Sequence, residues 1–173
     1  MSLGLYLHIP YCFSKCRYCD FYSHPGERGV PDAYVDALLR ELDRFAPERP
    51  LQPDTLYFGG GTPSLLRPEQ AKRLIDAARP MPGAEITLEA NPETVTEQSL
   101  AGFREAGVNR ISFGVQSARD TQLRTLGRPH TAKQARAAFA AARRAGFANI
   151  SGDIMLAPVS YTHLRAHETD QYL

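Results

Sequence analysis

Strand-like and helix-like patterns alternate along nearly the whole of this chain, and that alternation limits the folds open to it more than any other feature. Leu3 to Ile9 is a short, largely apolar run closed by Pro10, the mark of a strand. Pro31 then stands at a helix start, and Tyr34, Leu38, Leu42 and Phe45 recur at helical spacing up to Pro47. Thr55 to Phe58 reads as a second strand running into glycines, and Pro68 opens a helix whose inward face is Ala71, Leu74, Ile75 and Ala78, ended by Pro80. Glu85 to Glu89 is a third strand, followed by a helix capped by Thr96, with Leu100 and Phe103 inward and Gly107 as its stop. Arg110 to Val115 is a fourth strand. A short helix through Leu123 and Leu126 to Gly127 follows it, then an Ala-rich helix from Thr131 to Gly146, and a fifth strand from Asn149 to Leu156. Strands that alternate with helices pair in parallel through right-handed crossovers, which gives an α/β fold, either an open doubly wound sheet or a barrel.

Length and composition point to one domain, or a large part of one: 173 residues, 43% hydrophobic and 23% charged, are ordinary for a soluble globular chain. Twenty basic side chains against 19 acidic leave a net charge of +1, so no field of one sign steers the protein toward nucleic acid or an anionic membrane. No apolar run approaches the roughly 20 residues that span a bilayer, and Met1 to Pro10 lacks the charged and apolar regions of a signal peptide. The expectation is a cytoplasmic protein without a transmembrane segment or a nucleic-acid partner.

The unusual residues cluster at one end of the strands. Cys12 to Cys19 follow the first strand, Gly59-Gly-Gly-Thr-Pro63 the second, Glu89-Ala-Asn91 ends the third, Gln116 ends the fourth, and Asp153 lies in the fifth. These are C-terminal strand ends, the face on which barrels and open α/β sheets alike assemble their sites.

All three cysteines of the chain, Cys12, Cys16 and Cys19, lie in one loop with C-x3-C-x2-C spacing. That is a poor disulfide framework and a good metal-ligand cluster. One loop so compact can wrap three thiolates around a single inorganic centre, and on a [4Fe–4S] cube three protein ligands leave one iron open to a small chelating ligand such as an amino acid. A structural zinc completed by His8 or His24, and a redox-active or merely buried thiol set, are the competing readings. The glycine run can be a tight turn, or a place where the backbone approaches a ligand. Glu89 can be a surface carboxylate, although its place at the end of an apolar strand argues for a converging polar group. For Gln116, Arg128 and Asp153, taken singly, a structural hydrogen bond or a helix-end salt bridge is the default.

Taken in order, these segments resemble a known family. Tyr6-Leu-His-Ile-Pro-Tyr-Cys12, Cys16-Arg-Tyr-Cys-Asp-Phe21, Tyr57-Phe-Gly-Gly-Gly-Thr-Pro-Ser64, Leu88-Glu-Ala-Asn-Pro-Glu93, Ile111-Ser-Phe-Gly-Val-Gln-Ser117, Leu126-Gly-Arg-Pro-His130 and Gly146-Phe-Ala-Asn-Ile-Ser-Gly-Asp153 are similar to radical S-adenosylmethionine (radical SAM) proteins. The branch is the one that holds oxygen-independent coproporphyrinogen III oxidase and a bacterial heme chaperone, and the likeness covers residues 3–157. It implies a partial (β/α)6 TIM-like barrel of radical SAM type, running to about its fifth strand in residues 1–157. It also implies a [4Fe–4S] cluster on Cys12, Cys16 and Cys19, with Tyr6 packing at the site. Gly60, Gly61, Thr62 and Glu89 would contact S-adenosylmethionine, Gln116, Arg128 and Asp153 would line the same cavity, and Tyr18 would sit beside the adenine.

The same resemblance implies partners: heme or a porphyrinogen, a reductant protein such as flavodoxin or ferredoxin, and, for a chaperone, a heme-acceptor protein. In an oxidase the cofactors would yield a 5′-deoxyadenosyl radical that abstracts hydrogen from a propionate of coproporphyrinogen. The oxidase carries a further cysteine two positions after the third cluster ligand, where this chain has Asp20-Phe21, and that favours the chaperone branch. A zinc-stapled structural domain is the reading from another class.

From Pro158 to Leu173 the family pattern stops, where relatives would continue into a sixth strand and a C-terminal domain. The segment 158–173 reads as foreign sequence joined to a shortened gene, and the fragment is expected to be inactive alone. His163 and His167, four apart, would share a helix face, but nothing before them supplies a third ligand.

Overall fold

The computed structural model describes residues 2–45 and 51–156. In chain order its elements are β1 (Gly4–Ile9), β2 (Tyr11–Cys12), β3 (His24–Pro25), α1 (Asp32–Phe45), β4 (Thr55–Gly60), a single 3-10 turn at Pro63–Leu65, α2 (Pro68–Ala78), β5 (Glu85–Ala90), α3 (Glu97–Ala106), β6 (Arg110–Gln116), α4 (Asp120–Leu126), α5 (Ala132–Arg144) and β7 (Asn149–Ile154). β1, β4, β5, β6 and β7 form one sheet in that order, every neighbouring pair parallel. This is the α/β arrangement expected from the alternation, laid out among the described residues as four consecutive β/α units and a fifth strand. The stop at Pro47, Ala157, the segment 158–173 and the pair His163 and His167 lie outside the described residues.

Successive residues of a strand face opposite sides of a sheet, and here the two sides differ sharply in chemistry. One side carries Leu7, Ile9, Leu56, Phe58, Ile86, Leu88, Ile111 and Phe113, which pack with Ala71, Leu74, Leu100, Phe103, Ala138 and Ala142 of the helices into a single core. The other carries Tyr6, His8, Tyr57, Thr87, Glu89, Arg110, Ser112, Ser151 and Asp153. Register aligns these polar residues in rows across the sheet: Tyr6 beside Tyr57 and Thr87, Glu89 beside Ser112 and Ser151, Gly114 beside Asp153.

The helices begin and end where their residues dictate. Thr96 accepts a hydrogen bond from the Ser99 amide at 3.1 Å while Ser99 Oγ accepts from the Thr96 amide at 2.9 Å, a reciprocal cap that satisfies two otherwise unpaired donors. Thr131 and Gln134 repeat the device at the start of α5. The predicted faces of α2 and α3 are the buried ones. Helix α1 requires a correction. Its docking stripe is Val35 and Leu42, with Leu38 and Leu39 packed against the core, whereas Phe45 is 76% exposed because the last turn of the helix outruns the core.

Two further details escape a pattern-based reading. The stretch after β1 is not a plain loop, since Tyr11 and Cys12 pair with His24 and Pro25 in a two-residue ladder that closes the cysteine loop at its base. Strand β7 ends at Ile154, two residues short of the expected Leu156. Among the described residues no helix is long and apolar enough to cross a membrane.

Leu88 is fully buried in the central strand. Leu88→Ala should cost about 2–5 kcal/mol, the range for deleting a core leucine and leaving a cavity, read as a lower midpoint of chemical denaturation. A loss below about 1 kcal/mol would mean that the sheet does not pack as described.

Candidate functional site

The C-terminal ends of the parallel strands open into one cavity of about 1400 Å³. Every site residue singled out from the sequence lines it: Tyr6, Cys12, Cys16, Tyr18, Cys19, Gly60, Gly61, Thr62, Glu89, Gln116, Arg128 and Asp153. These residues come from β1 and the loop after it, and from the C-terminal ends of β4, β5, β6, α4 and β7. Their meeting is a consequence of parallel pairing, which brings all C-terminal strand ends to one side.

Cys12 is buried at the root of its loop, with Cys16 and Cys19 partly exposed further out. The loop is shaped by its own backbone bonds, Cys19 N–H to Cys16 C=O at 3.2 Å and Glu27 N–H to Cys12 C=O at 3.1 Å, and is tied to α4 by Arg17 N–H to Leu126 C=O at 3.1 Å. Tyr18 is buried against Leu126, Cys16, Cys19 and Met155. Among the described residues no three His, Cys, Asp or Glu side chains are placed to hold a single metal ion. His8 is engaged elsewhere, its Nε2 lying 3.1 Å from the Tyr22 carbonyl, and His24 stacks edge-on to Tyr22. One tetrahedral zinc would need its donors gathered at about 2.3 Å from a common point, whereas a cubane takes each thiolate on a different iron.

The glycine run sits directly against this loop. Gly61 donates its N–H to Ile9 C=O at 2.9 Å, continuing the β1–β4 ladder past the strand end. A Cβ at Gly61 would lie 2.7 Å from the Tyr11 carbonyl and 2.9 Å from Cys12 Sγ, so the position has no room for a side chain. Gly60 has φ +112°, and a Cβ there would meet the His8 ring at 2.6 Å. The backbone here is bare by steric necessity, and it faces the cavity.

Glu89 is the penultimate residue of β5 and lines the same cavity. Its carboxylate accepts hydrogen bonds from the Tyr57 hydroxyl at 2.8 Å and the Gly60 amide at 3.2 Å. Burial pushes its pKa above the ordinary carboxylate value, and the Tyr57 and Gly60 donors work in the opposite direction, with nearby Asp153 adding to the rise. Gln116 lies in the left-handed region at φ +62°, where β6 bulges against β7. Asp153 accepts a hydrogen bond from Ser112 Oγ at 3.3 Å.

Arg128 takes the first of its two default readings, a structural hydrogen bond, several times over. Among the described residues it forms no helix-end salt bridge. It is 9% exposed and donates to Gly114 C=O at 2.7 Å, to Asn91 Oδ1 at 2.6 Å and to Cys16 Sγ at 3.2 Å. Arg128 Nε and Ser23 Oγ are buried without a hydrogen-bond partner among the described residues, and both side chains line the cavity. Orphaned donors of this kind cost free energy unless a ligand takes them.

Sequence reasoning gave no site role to Tyr57, Asn91, Arg110 and Ser112, all of which also line the cavity. Their signal is the two-residue alternation itself: Arg110, Ser112 and Gly114 share one face of β6, as do Thr87 and Glu89 of β5, so each polar residue inside an apolar strand marks the cavity side.

The family model described as Radical SAM superfamily matches residues 6–167, its far end reaching into the segment that the sequence pattern set apart. The chain is 44% identical over 161 residues to the heme chaperone HemW of Escherichia coli (strain K12), covering 88% of this chain and 42% of that protein. It is 41% identical over 157 residues to the heme chaperone HemW of Bacillus subtilis (strain 168), covering 87% and 41%. Among solved structures it is similar to the radical SAM coproporphyrinogen III oxidase HemN of Escherichia coli, with 32% identity and a TM-score of 0.78 over 88% of this chain and 37% of that one.

This chain therefore belongs to the radical SAM superfamily. The cofactors that go with membership are a [4Fe–4S] cluster and S-adenosylmethionine. The chain spans about two-fifths of the length of the curated relatives it matches.

The Tyr57–Glu89 bond yields a test with a definite sign. A carboxyl whose pKa is raised by folding favours the fold fully at low pH, and that contribution is lost as pH rises through the folded-state value. Removing the Tyr57 donor raises Glu89 further. Tyr57→Phe should therefore cost little at acid pH and about 1.5–3 kcal/mol at neutral pH, measured as denaturation midpoints across that range. A loss independent of pH would mean that Tyr57 acts only by packing.

Proposed function

We propose that Cys12, Cys16 and Cys19 hold the cluster and that Gly60, Gly61, Thr62 and Glu89 hold S-adenosylmethionine on its open iron, with Gln116, Arg128 and Asp153 around it. Tyr6 packs beside the site and Tyr18 lies at the adenine. What carries this reading is that these residues, drawn from separate segments, line one cavity with three thiols on one wall and a bare glycine backbone beside them. The residues fit the cofactors: Glu89 supplies an anionic acceptor, and Arg128 Nε and Ser23 Oγ supply unfilled donors. When bound, the two cofactors together supply one-electron cleavage of S-adenosylmethionine to methionine and a 5′-deoxyadenosyl radical. The protein's part is to orient the ligand and to exclude water. In this reading residues 1–157 are the cofactor core, and 158–173 are dispensable to it.

The whole protein, we infer, is a cytoplasmic heme chaperone that receives heme and passes it to an acceptor protein, with a flavodoxin- or ferredoxin-like reductant serving the cluster. Two observations favour it: relatives called heme chaperones at 41–44% identity, and Asp20-Phe21 where the oxidase has a further cysteine. Oxygen-independent coproporphyrinogen III oxidation is the second reading, favoured by the likeness to HemN.

Anaerobic reconstitution should give about four irons and four sulfides per chain, and Cys16→Ala should abolish this. Deleting residues 158–173 should leave the iron content unchanged. Titration with S-adenosylmethionine should perturb the paramagnetic signal of the reduced cluster. Glu89→Ala, which removes bonds to a charged group worth about 1.5–3 kcal/mol, should weaken that binding roughly ten- to a hundredfold without loss of iron. Gly60→Val should do as much by blocking the backbone's approach. Undiminished iron in the variant lacking all three cysteines would refute the ligand assignment. Hemin titration and a coproporphyrinogen decarboxylation assay on the full-length protein separate chaperone from oxidase.

A further inference from the structure

A polarised chain of hydrogen bonds starts at one buried arginine and ends on two of the three thiols. Arg128 NH1 donates to Cys16 Sγ at 3.2 Å. Arg128 NH2 donates to Asn91 Oδ1 at 2.6 Å, Asn91 Nδ2 donates to Thr62 Oγ1 at 3.1 Å, and the Thr62 hydroxyl donates to Cys12 Sγ at 3.6 Å. Each donor along this path points away from the guanidinium and toward a sulfur. The path is largely shielded, with Thr62 2% exposed, Arg128 9% and Asn91 half-buried between them. Hydrogen bonds in series polarise one another, and they do so more strongly in a low dielectric than in water.

The arginine is held for this task from behind. Gly114 C=O accepts from the same NH2 at 2.7 Å, and a Cβ at Gly114 would stand 3.1 Å from that nitrogen. Two residues on, the buried His130 spans Glu93 Oε2 and Val115 C=O, each at 3.1 Å, which pins the α4–α5 link carrying Arg128 to the ends of β5 and β6.

We propose that Arg128, directly at Cys16 and through Asn91 and Thr62 at Cys12, raises the reduction potential of the cluster that these thiolates hold. The inference rests on the ligand reading given above. Adding one electron to the oxidised [4Fe–4S] core increases the negative charge shared with its thiolates, so a fixed cation and aligned donors at two sulfurs stabilise the reduced form more than the oxidised form. Cluster potentials are set by net charge, burial and hydrogen bonds to sulfur. Thr62 and Asn91 are positioning residues here, acting on Cys12 with no charge of their own.

The test is a mediated potentiometric titration with dithionite as the electron donor. It is run on reconstituted protein without S-adenosylmethionine, so that any bond between Arg128 and that ligand plays no part. Arg128→Met should shift the reduction equilibrium at least tenfold toward the oxidised form, about 59 mV for a one-electron couple. Thr62→Val, of matching shape, should shift it the same way but less, and the double variant should shift it by less than the sum of the two, since both act on one network. Arg128→Lys should recover part of the loss. Arg110→Met, which removes another cavity arginine that bonds Thr87 and Ser151, should leave the potential close to the parent's.

If Arg128→Met holds full iron and sulfide and titrates as the parent does, the proposal is wrong. If that variant loses iron, Arg128→Lys and Thr62→Val decide, and unmoved potentials in both overturn it. A parent without iron and sulfide would instead overturn the ligand reading, a separate failure visible in the metal analysis before any titration.

Discussion

The site depends first on the absence of a side chain at Gly61. Parallel pairing of β1 and β4 carries on beyond the strands through Gly61 N–H and Ile9 C=O, and this last bond draws the glycine run to within van der Waals contact of Tyr11 and Cys12. A methyl group there would meet two backbone carbonyls and a sulfur, none of which is the free end of a flexible chain. Once the contact forms, Cys12 lies beneath Thr62, Thr62 reaches Asn91 at the end of β5, and Gly60 presents its amide to Glu89. The core that supports this framework is ordinary, built of strand and helix residues that any hydrophobic set of similar shape would replace. The docking of the glycine run is not replaceable in that way, because it fixes three strand ends relative to one another to within the length of a hydrogen bond.

Much of this is legible in the sequence because its causes are local. The strands and helices announce themselves through periodicity, through Thr96 and Thr131 with their partners three residues on, and through Pro68 at a helix start. The site residues are legible for a related reason: in a parallel sheet all strands point one way, so unusual residues at successive strand ends must converge. Phe45 shows where locality fails, since its spacing suits the buried face of α1 and only the reach of the core decides whether a given turn is covered. Arg128 shows the same failure at the site. Nothing near it in sequence names its partners, which are 112 and 37 residues away at Cys16 and Asn91.

The polar side of the sheet explains why a cavity survives there at all. A row of buried polar groups on one face would be costly unless each found a partner, and the strands supply them to one another. Arg110 donates to Ser151 Oγ at 3.0 Å, Ser151 to Ser112 Oγ at 2.9 Å, and Ser112 to Asp153 at 3.3 Å, so the lower wall is satisfied from within. Nearer the mouth the satisfaction is incomplete. Arg128 Nε and Ser23 Oγ have no partner among the described residues, and the Glu89 carboxylate keeps lone pairs beyond the two donors it meets. Glu89 near the end of β5 and Arg128 on the α4–α5 link thus line the same cavity, as do Gly60 and Gly61. A ligand that carries an ammonium and a carboxylate on one carbon offers each of these two groups a partner of opposite charge, and a neutral ligand offers neither. In the proposed reading, that complementarity favours the amino-acid moiety of S-adenosylmethionine over simpler occupants of the same space.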